Sequence, residues 1–201
     1  MGSGASKMQS INVPIIGLDR AGKSSIMHCI CKNEESIATL PTIGFATDHM
    51  QVGRVKWSFW DLAGQERSRT LWNYYLLNVS VLIFVVDSSD RERINKAAEE
   101  LKKALKEEMK VVPIIVYSNK QDLPEHMSDE EVSSALALES TGCKFKIFPC
   151  SAVRNEGIQE GIDWVMNSLS TERNSKKDKK KAKSKGKKKS KKSKENFISI
   201  D

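Results

Sequence analysis

The sequence predicts a doubly wound α/β domain, in which a mostly parallel sheet of six strands is flanked by helices and carries one antiparallel edge hairpin. Three observations predict this fold class. Short β-branched segments alternate with longer helical segments from Ile11 onward. "VSVLIFVVD" (79–87) and "VVPIIVYSN" (111–119) are almost uninterrupted apolar segments, as is typical of strands buried on both faces of a parallel sheet. A glycine-rich motif follows the first strand, at the edge where such sheets bind ligands.

Local patterns predict each element in turn. "INVPIIG" (11–17) is a strand, and the segment 22–32 after it is a helix. "HMQV" and "VKWSFWDL" flank Gly53-Arg54 and predict an antiparallel hairpin. After the strand at 79–87, apolar residues recur on one face of an amphipathic helix over 89–110. The remaining predicted elements are the strand at 111–119, a helix opened by a capping box of Ser128 and Glu131, a strand over 144–150 and a helix over 156–169.

Pro14 departs from this pattern. It lies within the first predicted strand, although proline has no backbone N–H to donate to a ladder. The sequence therefore predicts a bulge or an unpaired stretch at this position.

Charge is unevenly distributed along the chain. Residues 170–201 hold 14 lysines and arginines against four acidic residues, whereas residues 1–169 hold 19 against 22. The net charge of +7 thus comes from the C-terminal segment, and the rest lacks the basic face of a groove-reading DNA-binding protein. We expect a flexible segment over 1–10, a folded domain over 11–169 and a disordered lysine-rich tail over 170–201.

Neither a membrane span nor a zinc site is predicted. No apolar run approaches the roughly 18 residues of a transmembrane helix, and no signal-peptide core follows the N-terminus. The four cysteines lack the paired spacing of zinc ligands. We expect a cytoplasmic protein with reduced thiols.

"GLDRAGKSS" (17–25) carries the strongest signal for function. It fits the pattern G-x-x-x-x-G-K-[ST] between a predicted strand and helix, the setting of the P-loop NTPase fold. Its glycines let successive N–H groups face phosphates at the helix N-terminus. Lys23 supplies a positive charge to the β- and γ-phosphates, and the Ser24 hydroxyl is a ligand for Mg²⁺. The expected phosphate-binding residues are Asp19, Ala21, Gly22, Lys23, Ser24 and Ser25.

"NKQD" (119–122) follows a buried strand and predicts a guanine site. The Asp122 carboxylate can accept from both N1–H and the exocyclic amine of guanine, whereas adenine would leave it unpaired. We expect Asn119 to bond guanine N7 and the stem of Lys120 to cover the base. "CSA" (150–152), with Ser151 and Ala152, follows the last strand, and the Ala152 N–H is expected to meet guanine O6.

Two further segments predict a sensor for the γ-phosphate. "PTIGF" (41–45) supplies Thr42, whose hydroxyl can complete the coordination of Mg²⁺. "WDLAGQER" (60–67) supplies Asp61 to hold Mg²⁺ through water, Gly64 to approach the γ-phosphate and Gln65 to orient the attacking water. The expected catalytic residues are Gln65, Lys23 and Thr42, and the expected metal ligands are Ser24, Thr42 and Asp61.

In this order, the five motifs resemble the nucleotide-binding motifs of Ras-superfamily small GTPases. "GLD" in the first motif, "PTIGF", Trp60 before Asp61, "LWNYY" (71–75), "VVDSSDRER" (85–93) and "NKQDLP" are similar to the Arf and Arf-like family. The resemblance covers about residues 11–169.

The resemblance implies a molecular switch that binds GTP or GDP with Mg²⁺ and acts in membrane trafficking. Loops around Thr42 and Gly64 would order when the γ-phosphate is present. It also implies an exchange factor, slow GTP hydrolysis assisted by a GAP, and effectors that bind Phe45, Trp60 and Tyr75. The alternative for these three aromatic residues is ordinary core packing. Arg20 replaces a small residue usual in the family, and we expect its side chain to be solvated.

The two ends of the chain predict attachment to a membrane. "MGSGASK" fits M-G-x-x-x-[ST] for N-myristoylation of Gly2, although a Gly-Ser start is also typical of cloning remnants. A single myristoyl chain binds only marginally, and the lysine tail would add contacts to anionic lipid. Alternatives remain open for the tail, which could act in nuclear import, bind nucleic acid or simply be solvated. Two others concern the domain, which could be a GTP-binding scaffold with negligible hydrolysis or an adenine-specific P-loop kinase.

Overall fold

The computed structural model describes residues 9–35 and 40–169. The predicted lipidation site Gly2 and the lysine-rich tail lie outside these residues. Contacts between residues divide the chain into two units, 1–162 and 163–201, with the division inside the last helical stretch. The expected boundary after residue 169 stays a prediction.

The described strands form one six-stranded sheet in the order β2-β3-β1-β4-β5-β6. Only β2 runs antiparallel, in the hairpin with β3, whereas all other neighbours pair in parallel. This arrangement confirms the predicted doubly wound sheet with one antiparallel edge hairpin. The strands are β1 (Gln9–Ile16), β2 (Phe45–Val52), β3 (Val55–Leu62), β4 (Leu82–Asp87), β5 (Ile114–Asn119) and β6 (Phe145–Pro149).

Helices connect the strands, and none of those in the described residues is both long and apolar enough to cross a membrane. They are α1 (Lys23–Lys32), α2 (Glu66–Arg69), α3 (Trp72–Tyr75), α4 (Ile94–Ala104), α5 (Asp129–Ala135) and α6 (159–169). Two 3₁₀ turns, Glu107–Val111 and Leu138–Thr141, follow α4 and α5.

The strand order places the candidate site. From β1 the chain passes to β3 on one side, and from β3 it crosses to β4 on the other side of β1. The strand order therefore reverses beside β1, and open parallel sheets bind ligands outside the carboxyl ends of their strands at such a point. Four of the five predicted motifs lie at the carboxyl ends of β1, β3, β5 and β6.

Apolar side chains cover both faces of the sheet. In β4, Leu82 and Phe84 belong to the buried cluster that also contains Leu101 of α4 and Val132 of α5. Ile83 alternates with them along the strand and is also fully buried, on the opposite face. Burial on both faces explains why this strand has no polar alternation in its sequence.

Pro14 lies inside β1 without disturbing the ladder to β3. It pairs with Trp60 in a continuous parallel register. The predicted bulge is therefore absent from the pairing of β1 with β3. On the other side, the Asn12 carbonyl accepts from the Ser80 N–H, and pairing with β4 begins only at Ile15. Because alternate residues of a strand point to the same neighbour, Pro14 faces β4 just before that ladder begins. The unpaired stretch is therefore on the β4 side.

The helix predicted over 89–110 is divided in the structure. Before α4, the Asp90 carboxylate accepts from the backbone N–H of Arg93 at 3.1 Å, which caps a turn instead of continuing the helix. After α4, the chain must return to the sheet so that β5 begins at Ile114. Pro113 disfavours helical backbone in the residue before it, and a 3₁₀ turn makes this connection. The other predicted elements are present, most with shifted ends.

α5 begins with the predicted capping box. The Ser128 hydroxyl accepts from the Glu131 N–H at 3.3 Å, and the Glu131 carboxylate accepts from the Ser128 N–H at 2.8 Å. Arg91 also donates to this carboxylate at 2.8 Å. The hydrogen bond from Arg91, followed by that from Ser128, lowers the pKa of Glu131 to about 2.

Tyr117 links β5 to the loop that follows β6. Its side chain is fully buried, and its hydroxyl donates to the carbonyl of Ile158 at 2.6 Å. Gly161 leaves room for this bond, because a Cβ there would lie 2.5 Å from the Tyr117 hydroxyl oxygen. The bond holds the loop after β6 close to the carboxyl end of β5.

We predict that Tyr117→Phe lowers the free energy of unfolding by about 1–2 kcal/mol, because a buried acceptor loses its donor. Urea denaturation of the GDP-bound protein measures the change. Tyr74→Phe is the matched control, since Tyr74 is 73% exposed and its loss is expected to stay within about 0.5 kcal/mol. Equal unfolding free energies for the two variants would contradict the role of this bond.

Candidate functional site

The glycine-rich loop between β1 and α1 wraps Lys23. Gly17 and Gly22 have φ values of +146° and +94°, which favour glycine, and a Cβ at Gly17 would lie 2.2 Å from the carbonyl oxygen of Val85. Lys23 is 6% exposed, and its Nζ donates to the Leu18 carbonyl at 2.8 Å. Burial lowers the pKa of Lys23 to about 8, while nearby carboxylates oppose this shift. The loop therefore holds a buried amino group at the carboxyl end of β1.

Ser24, Thr42 and Asp61 converge beside this amino group. The Ser24 and Thr42 hydroxyls donate to the same carboxylate oxygen, Oδ2 of Asp61, at 2.5 and 2.9 Å. The two hydroxyl oxygens lie 3.0 Å apart. These residues come from the start of α1, from the segment before β2 and from the end of β3. The structure thus brings the three predicted metal ligands together.

The donor set of this cluster fits Mg²⁺. Asp61 is fully buried, and its Oδ1 has no hydrogen-bond partner among the described residues. An unpaired carboxylate oxygen in a buried position is costly unless a cation or its water compensates it. Hydroxyl and carboxylate oxygens are also the ligands that Mg²⁺ prefers.

Gly64 lies directly on the glycine-rich loop. A Cβ at Gly64 would be 2.5 Å from the backbone of Leu18 and Asp19, and equally close to Nζ of Lys23. Only glycine permits this approach. Gln65 follows at the N-terminus of α2, with an exposed side chain. The predicted γ-phosphate sensor is therefore next to Lys23, and Gln65 lies at the edge of the site.

Asn119 joins three loops through its side-chain amide. Its Nδ2 donates to the Ala21 carbonyl at 2.9 Å, and its Oδ1 accepts from the Ala152 N–H at 3.0 Å. Asn119 is 2% exposed, and a Cβ at Gly22 would lie 2.2 Å from its Nδ2. The Ala152 N–H, expected to meet guanine O6, donates to Asn119 in this structure, and its contact with the base stays a prediction. The N7 contact expected of Asn119 stays a prediction, because its amide nitrogen carries a second hydrogen beside the one donated to Ala21.

Asp122 and Lys120 are each held by one partner. The Ser151 hydroxyl donates to Oδ1 of Asp122 at 2.6 Å, and Ser151 is 1% exposed. Lys120 has φ +70°, and its Nζ pairs with Oδ2 of Asp87 at the end of β4. One Asp122 oxygen is therefore fixed by the protein, and the direction of the Lys120 side chain is set by Asp87.

Asp87 is a site residue that the sequence motifs did not predict. It ends a buried strand at the ligand-binding edge and is paired in register with Asn119. Its position after a buried strand indicates a role in the site, because polar residues at the carboxyl ends of parallel strands face the ligand.

Two arginines near the site were also missed. Arg69 of α2 and Arg93 before α4 reach opposite oxygens of the Asp19 carboxylate, at 3.3 and 3.2 Å. No sequence spacing marks them, because they come from different parts of the chain. Asp19, predicted to bind phosphate, thus has its side chain committed to two arginines. Ser25 is half-buried in α1, and Arg20 is exposed, as expected for a solvated side chain.

Phe45, Trp60 and Tyr75 form one aromatic cluster. Their ring centroids are 5.3 to 5.9 Å apart. Phe45 is 47% exposed, whereas Trp60 and Tyr75 are half-buried. The rings therefore pack against one another and leave part of Phe45 exposed. Binding of effectors by this cluster stays a prediction.

Known proteins resemble the chain along most of its length. The family model described as the ADP-ribosylation factor family (Arf) matches residues 2–169. ADP-ribosylation factor J of Dictyostelium discoideum is 41% identical over 160 residues, which are 79% of this chain and 85% of that protein. The solved structure of the Arl6 BBS3 small GTPase from Trypanosoma brucei, with a bound nucleotide analogue GppNp, has 28% identity and a TM-score of 0.73. It covers 81% of this chain and 99% of its own.

We predict that Gly22→Ala weakens the binding of fluorescent GDP by at least about 100-fold, since it combines backbone strain with a clash at Asn119. Gly142→Ala is the matched control, because Gly142 also has positive φ (+66°) but a Cβ there would have open space for 4 Å around it. Equilibrium fluorescence titration measures both affinities. A comparable loss in the two variants would show that strain alone, and not the contact to Asn119, explains the effect.

Proposed function

Because the chain belongs to the ADP-ribosylation factor family of small GTPases, we propose that it is a Mg²⁺-dependent switch that recruits effectors at a membrane surface in trafficking. The family makes it a GTP-binding protein and a GTPase, with exchange factors, GAPs and effectors as partners. One observation carries the proposal: Ser24, Thr42 and Asp61 meet next to Lys23 and Gly64. Together these groups could bind Mg²⁺ and the phosphates of a nucleotide.

The base and the phosphates would be bound by different parts of the site. Asp122, with one oxygen held by Ser151, keeps a second oxygen to accept from guanine. Lys23 would exchange its bond to the Leu18 carbonyl for the β- and γ-phosphates. Phosphate would also raise the pKa of Lys23 from about 8 and keep it charged.

Ser24, Thr42 and Asp61 would hold Mg²⁺, which when bound neutralises charge on the phosphates. Thr42 lies in an exposed segment, since Leu40 and Ile43 are 88% and 93% exposed. The hydroxyl of Thr42 ties this segment to Asp61 of β3. Its order would depend on whether the metal and the γ-phosphate are present.

The two γ-phosphate-sensing segments are linked to each other. The Ala63 N–H donates to the Gly44 carbonyl at 3.0 Å, which joins the loop before β2 to the residue preceding Gly64. A change in the position of Thr42 would therefore alter the position of Gly64, and a change at Gly64 would alter that of Thr42. Phe45 of the aromatic cluster follows Gly44 directly, so the exposed part of Phe45 would respond to the bound nucleotide.

Gln65 would orient the attacking water during hydrolysis. Its side chain is exposed at the start of α2, so solvent surrounds it. Intrinsic hydrolysis is therefore expected to be slow, and a GAP would complete the site by supplying positive charge and holding Gln65.

We predict that chelation of Mg²⁺ with EDTA accelerates GDP release from the wild-type protein by at least about tenfold, because the metal contributes several kcal/mol of charge stabilisation. In Asp61→Asn, release is already fast and EDTA adds little. Asp48→Asn is the control, since Asp48 lies in β2 and pairs with Lys32 at 3.5 Å, and it should respond like wild type. A full EDTA response in Asp61→Asn would contradict the proposed metal site. Release of a fluorescent GDP analogue in stopped flow measures all three.

We further propose that the protein is cytoplasmic and attaches peripherally to membranes through a lipid on Gly2 and its lysine-rich tail. Residues 170–201 contain 14 lysines and arginines and four acidic residues, which gives this segment a net charge of +10. Each lysine near an anionic leaflet contributes about 1 kcal/mol. A single myristoyl chain needs such a second contact for stable attachment.

We predict that deletion of residues 174–201 from the N-myristoylated protein weakens its binding to phosphatidylserine vesicles by at least about tenfold in 0.15 M salt. Vesicle co-sedimentation measures the binding, and GTP hydrolysis confirms that the domain is intact. Neutral phosphatidylcholine vesicles are the control, on which both proteins should bind equally weakly. Equal binding of the two proteins to anionic vesicles would contradict the role of the tail in membrane attachment.

A further inference from the structure

Arg69 is a largely buried cation that lies outside the nucleotide-binding motifs. Its side chain is 9% exposed, although α2 lies at the surface. Its Nε donates to the carbonyl of Gly64 at 2.8 Å, and its Nη2 donates to Oδ1 of Asp19 at 3.3 Å. Its Nη1 lies 3.8 Å from Oε1 of Glu100 in α4. One guanidinium thus contacts the predicted γ-phosphate sensor, the glycine-rich loop and α4.

Both carboxylates that anchor Arg69 are themselves held in place. Oδ2 of Asp19 accepts from Arg93 at 3.2 Å. Glu100 is 10% exposed, and its Oε1 accepts from Lys103 at 2.9 Å. The planar guanidinium can contact two carboxylates and a carbonyl at once, which a lysine ammonium cannot do with the same geometry. The position of Arg69 is therefore set by two separate elements of the fold.

The Gly64 carbonyl is the group whose direction Arg69 controls. It belongs to the peptide unit that joins Gly64 to Gln65, so a bond to this oxygen sets the plane of that unit. Glycine has the widest choice of backbone angles and no side chain to limit them. The Gly64–Gln65 peptide needs an external constraint, and the bond from Nε of Arg69 supplies one.

We propose that Arg69 is a positioning residue for GTP hydrolysis. It holds the Gly64–Gln65 peptide in the plane from which Gln65 orients the attacking water, and it uses Asp19 and Glu100 as anchors. This inference rests on the role proposed for Gln65. Arg69 acts through Gln65 and does not itself contact the reacting atoms.

A double-mutant cycle tests this role. Arg69→Lys, Gln65→Ala and the double variant are loaded with GTP and Mg²⁺, and single-turnover phosphate release is followed. We expect Arg69→Lys to slow hydrolysis by roughly tenfold to 100-fold, the cost of a misplaced catalytic group. The double variant should be no slower than Gln65→Ala, because Arg69 has nothing to position once Gln65 is gone. GDP dissociation should change by less than about threefold, since that step does not use Gln65.

Arg67→Lys is the matched control. Arg67 lies in the same short helix with an exposed side chain, so the same substitution should leave hydrolysis unchanged. Glu100→Gln provides an independent variant, because it removes the charge of one anchor and keeps its shape. It should slow hydrolysis in the same direction as Arg69→Lys, and again only when Gln65 is present.

Two results would overturn the inference. Wild-type hydrolysis in Arg69→Lys and Glu100→Gln would show that the Gly64 peptide needs no such anchor. Additive losses in the double variant would show that Arg69 acts on general structure rather than through Gln65. In both cases the wild-type protein still releases phosphate, so the proposed switch would stand. If wild type released no phosphate, the role of Gln65 and this inference would both fail.

Discussion

The side-chain amide of Asn119 is the interaction on which the rest of the site depends. It donates to the glycine-rich loop and accepts from the loop after β6, so it ties together the carboxyl ends of β1, β5 and β6. Both polar ends of the amide are buried and paired, which makes the arrangement costly to break. The close contact with Gly22 explains why that position must be glycine. Without this bridge, the loops expected to bind base and phosphate would have no fixed relation to each other.

The two halves of the site differ in how firmly they are held. On the base side, Asn119 and Ser151 are buried and hydrogen-bonded to backbone or carboxylate groups. On the γ-phosphate side, the segment around Thr42 is exposed and is tied down by hydroxyl contacts to Asp61. Regions that rearrange on ligand binding come from the less stable parts of a fold. A rigid base site beside a weakly held phosphate sensor is the combination that a nucleotide switch requires.

The ion pairs around Asp19 connect this weakly held half to the body of the domain. Arg69 and Arg93 bring α2 and the start of α4 to the glycine-rich loop. Such ion pairs fix the relative orientation of the two side chains, because each guanidinium offers its donors in a fixed plane. The network therefore gives α2, which has no buried residue of its own, a defined place on the loop.

The parts of this molecule that depend on local chemistry can be predicted from the sequence. The alternation of elements, the hairpin turn, the capping box of α5 and the residues that converge at the carboxyl ends of the strands all follow from residue type and spacing. Prediction is less reliable where the path of the chain decides the outcome. The helix predicted over 89–110 is divided because the chain must return to β5. The spacing of apolar residues along a helix carries no information about where the chain has to turn back.

The sequence also did not show which polar groups bond to one another in the folded protein. Only the folded sheet shows that the Ala152 N–H, predicted to meet the base, lies close enough to Asn119 to donate to its side chain. No role was predicted for Arg69 or Arg93, and their common target Asp19 is distant from both in the chain. By itself, the sequence determined the fold class, the family resemblance and the residue types that phosphate, guanine and Mg²⁺ require, since these depend on short-range patterns. The tertiary structure decided which of those groups bond one another, since hydrogen bonds and ion pairs depend on distances of a few ångströms between segments far apart in sequence.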